Sequence, residues 1–156
     1  MATRYAAETE VPVSRSKQQI ELLLQTRKVE GYHTGWDNNR DVIEFLWQGK
    51  QIRFVLKRPR PDDFKIAPSG SWRNDRQIQA AIEQADRQRW RALYLVIRAK
   101  IEAVEADLAI FEEEFLAFIV VPGRNQTLGE LLVPRLKAGE FDLSRALPPA
   151  PEEALR

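Results

Sequence analysis

The stretch "YHTGWDNNRDVIEFLWQGKQIRFVLK", residues 32–57, alternates apolar and polar side chains with a period of two. Turn-forming residues interrupt it at Asn38-Asn39 and around Gly49. Alternation of this kind belongs to strands with one buried face, and the interruptions mark hairpins. Closing the first hairpin at Asn38-Asn39 sets Tyr32 opposite Phe45 and Thr34 opposite Ile43, with Trp36 on the same face. Closing the second at Gly49-Lys50 sets Trp47 opposite Ile52, Phe45 opposite Phe54 and Ile43 opposite Leu56. Both registers gather the large apolar residues on one side, so the spacing predicts a three-stranded antiparallel meander with Trp36 and Trp47 in the core. The reverse face then carries His33, Glu44, Leu46, Arg53, Val55 and Lys57.

A sheet this small needs a cover, and helical patterns flank it. From Ser14 or Ser16 as N-cap, Ile20, Leu23 and Leu24 form an apolar stripe running to about Lys28. After the sheet, Asn74 or Asp75 is placed to cap a run to Val121 that contains neither Gly nor Pro. Ile78, Ile82, Ala85, Leu93, Val96, Ile97, Ile101, Val104 and Leu108 give it a helical period. A single helix of that length would overrun a small domain, so a break is expected near 107–110, with "FEEEFLAF" forming a further turn or two. "VPGRN" reads as a turn. Thr127 and Glu130 then fit a capping box for a last helix over "LGELLVPRLKAGE", which Pro134 distorts.

The expected fold class is α+β: an N-terminal helix, a three-stranded antiparallel β-meander, a long helix and shorter C-terminal helices, in the order α-β-β-β-α-α. Residues 1–13 are expected to be a flexible arm, 14–143 a single domain and 144–156 a proline-rich tail. A chain of 156 residues suits one such domain. It has no cysteine, which removes disulfides, thiolate nucleophiles and cysteine-ligated zinc. No signal-type h-region or membrane-length apolar run is present, so the cytoplasm is the expected compartment and no membrane partner is expected.

The net charge of +1 hides a division along the chain. Residues 1–100 hold 19 Lys and Arg against 12 Asp and Glu, a net +7, whereas residues 101–156 hold 5 against 11, a net −6. Such asymmetry points either to a charged partner or to attraction between the halves.

"VPVSRSKQQIE", "GWDNNRDVIEF…GKQIRFVLKRP" and "RQRWRALYLVIRAKIEAVE…FEEEFLAFIVVPG…TLGELL" together resemble a family of uncharacterised small proteins encoded in bacteriophage and prophage genomes. The resemblance spans most of the chain, and "RWRALYLVIRAKIEAVE" is its most specific part. It implies a host-cell cytoplasm and a role in phage DNA metabolism or in countering host defence, and it brings no catalytic residues or cofactor with it. The α-β-β-β-α order also looks like that of double-stranded-RNA-binding domains. The long connection after the third strand and the lack of a lysine cluster opening the second helix depart from that pattern.

The residues themselves offer little catalysis. His33 is the only histidine, and the predicted register faces it to Glu44. Glu112, Glu113 and Glu114, with Glu102 and Glu105, have the chemistry to hold Mg²⁺, but adjacent helical residues point in different directions. No catalytic, metal or cofactor site is therefore assigned, and a metal-dependent nuclease is the third-ranked reading. Binding is better supported. Lys50, Arg53, Lys57, Arg58, Arg60, Lys65, Arg73 and Arg76 fall in 27 residues beside Trp72, against Asp62, Asp63 and Asp75. If the connection folds back along the sheet, these form one basic surface with Trp72 as a stacking platform. The leading expectation is a non-enzymatic protein binding nucleic acid, single-stranded DNA first. The alternative is a protein that binds and inhibits a host defence protein through its acidic half or proline-rich tail. The broad apolar band "ALYLVI" is open to two partners: other helices of this chain, or a second copy in a homodimer through the long helix.

Overall fold

Three antiparallel strands, β1 (Gly31–Trp36), β2 (Arg40–Trp47) and β3 (Lys50–Lys57), form one sheet in the order β1-β2-β3. The computed structural model describes residues 8–141, so the proline-rich tail and most of the N-terminal arm expected from the sequence lie outside the described residues. The remaining elements are α1 (Val13–Thr26), α2 (Asp75–Glu105), α3 (Phe111–Phe115) and α4 (Leu128–Lys137). Short 3-10 turns lie at Pro61–Phe64 and Leu116–Phe118. The class is α+β, in the order expected from the sequence.

The first hairpin has the predicted register, Tyr32 opposite Phe45 and Thr34 opposite Ile43. Its turn is fixed by Asp37, whose Oδ1 accepts the N–H groups of Asn39 (2.8 Å) and Arg40 (2.9 Å). These bonds, that from Asn39 foremost, hold the Asp37 carboxyl below its usual range. The second register is corrected. Trp47 faces Lys50, Phe45 faces Ile52 and Ile43 faces Phe54, so the two turn residues are Gln48 and Gly49. Both have positive φ, 51° and 69°, as a type I′ turn requires. The displacement is two residues, one full pleat, so every side chain keeps its predicted face.

On the core face, Ile43, Phe45, Ile52 and Phe54 pack against Ile20 and Leu24 of α1, Trp90, Leu93, Ile97 and Ile101 of α2, and Phe111 and Phe115 of α3. The apolar band of α2 is thus largely occupied within the chain, leaving Val96 exposed. Trp36 departs from expectation: it shares the parity of the core residues but is 74% exposed, because it lies at the end of the edge strand β1, outside the core cluster. Trp47 is half-buried, edge-on to Phe111 and Phe115.

The helix ends obey local chemistry. Position Pro12, not Ser14 or Ser16, precedes α1, and no side chain caps it. Asn74 and Gln77 make a reciprocal capping box for α2, as Thr127 and Glu130 do for α4. At the far ends, α1, α2 and α4 each close with a left-handed residue: Lys28, Asp107 and Gly139. The following N–H reaches back across the last turn, Val29 to Leu24 O, Leu108 to Ala103 O and Glu140 to Arg135 O, which is the Schellman pattern. Pro134 is accommodated inside α4.

Tyr32 supplies a pH probe of the β1–α1 packing. Burial, and secondarily the Glu21 carboxylate, pushes its phenol up to about 12. The folded pKa exceeds the unfolded one, so this contribution is complete below pH 10 and is lost as pH rises through the folded value. Urea unfolding of Tyr32→Phe should therefore lose about 1 kcal/mol less stability than wild type between pH 8 and pH 11. Identical pH slopes would show that the phenol is solvated.

Candidate nucleic-acid interface

The cations expected to form one surface separate into three groups. Lys50 and Arg53 lie toward the hairpin end of β3 and bind local partners. Lys50 pairs with Glu112 at 2.8 Å, fastening α3 to the hairpin. Arg53 pairs with Glu44 and donates through Nη2 to Asn125 Oδ1 at 2.7 Å, tying the 121–127 turn to the reverse face. His33 does face Glu44 in the register, but that carboxylate is taken by Arg53.

A second group organises the connection. Lys65 pairs with Asp62 at 2.6 Å. Arg73 Nη1 donates to the Phe64 carbonyl at 3.2 Å, and Ile66 and Trp72 form an antiparallel bridge. The loop is therefore held to its own backbone, with Trp72 76% exposed upon it. Arg76 follows in the first turn of α2 and makes no ion pair among the described residues.

The third group, Lys57, Arg58 and Arg60, lines a groove of about 850 Å³ between the end of β3, the Pro61–Phe64 turn and the 85–92 segment of α2. Arg40 and Arg89 join them there, with Asp63 and Glu130 as the acidic members of the lining. Arg40 and Arg89 lie outside the Lys50–Arg76 stretch to which the sequence assigns the basic surface. The signal for Arg40 is register: it lies directly opposite Lys57, two like charges across one ladder. Such a pair is destabilising unless something negative screens it. Arg40 has Asp37 at 3.0 Å, while Lys57 makes no ion pair among the described residues.

Arg58 and Arg89 are fixed by a partly buried charge cluster behind the groove. Arg58 grips Asp41 with both arms, Nε at 3.1 Å and Nη2 at 2.8 Å. That bond raises the guanidinium pKa further, and the group also lies 5.3 Å from the Trp36 ring. Arg89 donates to Asp86 Oδ1 at 3.2 Å. Burial pushes Asp86 up and Arg89 down, each toward neutrality. The buried Arg89 Nε has no acceptor among the described residues.

The glutamate run does not converge: Glu112 turns to Lys50 and Glu114 to Lys100 at 3.1 Å. Among the described residues no three His, Asp or Glu side chains are grouped to hold a metal ion. No helix is long and apolar enough to cross a membrane, again among the described residues. Comparison with protein-family models, with curated proteins and with solved structures finds no match.

Proposed function

We propose that the groove binds the phosphate backbone of nucleic acid, single-stranded DNA first; the candidate base-stacking platform, Trp72, is exposed on the loop outside the groove lining. The observation that carries this reading is the opposition of Arg40 and Lys57 on the groove floor, flanked by Arg58, Arg60 and Arg89. Four of the five cations already face a carboxylate, Asp37, Asp41, Asp63 and Asp86, so the charge open to a polyanion is that of Lys57 and of Arg60, whose pair with Asp63 is 3.9 Å long, and its phosphate contacts release counterions on binding. The Arg58 and Arg89 guanidiniums are held in advance by Asp41 and Asp86, so little side-chain freedom is lost on binding. The phage origin implied by the sequence resemblance belongs to the same proposal. It supplies a setting, DNA metabolism, in which such a binder has work.

Fluorescence anisotropy of labelled single-stranded DNA, duplex DNA and RNA at two salt concentrations tests it. With about two phosphates engaged, at Lys57 and Arg60, the single-strand salt slope should be about −1.4. Lys57→Glu with Arg60→Glu should weaken binding by about 10- to 100-fold with Tm unchanged, since neither residue is tied to the core. Absence of salt-sensitive binding to all three ligands at low salt would overturn the reading.

A further inference from the structure

The outer edge of β1 is uncovered. On the opposite side of the sheet, Ile119 and Val120 cover part of the β3 edge through an Ile52–Ile119 bridge and a 2.8 Å bond from the Val120 N–H to the Gln51 carbonyl. Among the described residues no segment pairs with β1 from outside.

The phase of the ladder tells which groups that edge offers. Asp37 N–H bonds to the Arg40 carbonyl at 2.9 Å, making 37 and 40 a hydrogen-bonded pair. Hydrogen-bonded and non-bonded pairs alternate along an antiparallel ladder, so Gly35, His33 and Gly31 also turn their backbone groups toward β2. Tyr32, Thr34 and Trp36 therefore direct their N–H and C=O groups outward. Soluble proteins guard such an edge with lysine, proline or a bulge. "GYHTGW" contains no Lys, Arg, Asp, Glu or Pro.

We infer that β1 is a self-association seam, at which two copies of this chain pair their β1 strands antiparallel about a two-fold axis through Thr34 and join their sheets. The occupant follows from self-complementarity. An axis perpendicular to the sheet demands that facing residues share parity. The Thr34-centred register sets Thr34 against Thr34, Tyr32 against Trp36 and His33 against Gly35 of the second copy. All three outward residues then become hydrogen-bonded pairs, so each of their N–H and C=O groups in both copies gains a partner. The exposed indole of Trp36 gains an aromatic neighbour from the second copy. Gly35 has no Cβ to obstruct the facing imidazole, which matters because the His33 ring of its own strand already lies 3.3 Å from where that Cβ would stand. The seam carries no Lys, Arg, Asp or Glu, so no like-charge contact between such side chains opposes closure. The groove lies at the β3 side, so the dimer carries its two grooves at opposite ends of a six-strand sheet.

A seam this short belongs to the small, reversible interfaces, with Kd of about 10–100 μM. Sedimentation equilibrium over roughly 5–500 μM should show monomer passing to dimer. Thr34→Pro should abolish this with Tm nearly unchanged, because the lost N–H points outward and donates nothing to β2. Should proline disturb the strand, Thr34→Lys reads the same contact by placing like charges at the axis. Thr34→Cys should cross-link on oxidation, since a hydrogen-bonded pair spaces its Cα atoms about 5.5 Å apart, within disulfide reach. The chain has no other cysteine to compete. Val96→Cys, exposed on α2 away from the seam, should form no cross-link. A monomer throughout the concentration range overturns the inference. So does a dimer that survives both Thr34 variants, or one that cross-links through Val96→Cys in preference.

Discussion

Arg58→Glu should destabilise the protein by about 2–3 kcal/mol, lowering Tm by about 5–10 °C. Asp41, its partner, is only 5% exposed and sits at the start of β2, where the strand leaves the first hairpin. The substitution removes both arms of a bidentate bond and puts a second carboxylate against the first. Asp86 aggravates the result: burial and the nearby Asp41 charge already push its carboxyl up. Asp41 is buried whereas the Arg58 side chain is 35% exposed, so the cost lies between that of a buried pair and that of a surface pair. Arg58→Met combined with Asp41→Asn should recover most of the loss, since no uncompensated charge is then left behind. Urea unfolding of the single and double variants checks this, and a single-variant loss below about 1 kcal/mol would show that Asp41 can turn to water. The same argument bears on binding experiments. A variant reversed at Arg58 tests the fold before it tests the groove, so the interface has to be probed at Lys57 and Arg60.

The fold was legible wherever local chemistry determined it. Asn38-Asn39 between two alternating runs gives one sensible hairpin, and the register followed. Around Gly49 two dipeptides, Gln48-Gly49 and Gly49-Lys50, preserve the same alternation, so hydrophobic pattern cannot choose between them. The choice falls to turn geometry, and Gln48 accepts a positive φ to make it. The capping box at Thr127 was readable because both partners lie within four residues, whereas for α2 the sequence narrowed the N-cap to Asn74 or Asp75 without its Gln77 partner. The end of α1 was less so, since a lysine occupies the left-handed position that glycine usually advertises; the break after α2, with aspartate there, came from length rather than composition.

The candidate site was legible as a charge and not as a place. Counting cations between Lys50 and Arg76 ignores what each one meets, and six of the eight meet an acid or a carbonyl of their own neighbourhood. Arg89, 29 residues after Arg60, enters the groove only because α2 runs back past the end of β3. Trp36 shows the same limit from the apolar side: alternation assigns a face, but coverage depends on how far the helices reach across it.

Phe115→Ala tests the part of the architecture with least local support. α3 is five residues long, too short for helix propensity to hold it, so its position depends on what it buries. Phe115 is fully buried, stacked on Phe111 at 5.0 Å and edge-on to Phe45 at 6.2 Å and Trp47 at 5.9 Å. Deleting the ring opens a cavity where α3 meets the sheet, and large-to-small changes of this kind cost about 3–5 kcal/mol. That is a large share of the roughly 5–15 kcal/mol expected for a whole domain. The Lys50–Glu112 pair spans the same junction at the surface, where Lys50→Ala should cost less than about 1 kcal/mol. Chemical denaturation of both variants separates ring burial from ion pairing. Comparable losses in the two would mean that α3 is held by charge, and that Phe115 can be removed while the segment folds aside. A loss several-fold larger for Phe115→Ala, with protection from hydrogen exchange falling in β2 as well as α3, would mean that this short helix completes the core behind the sheet.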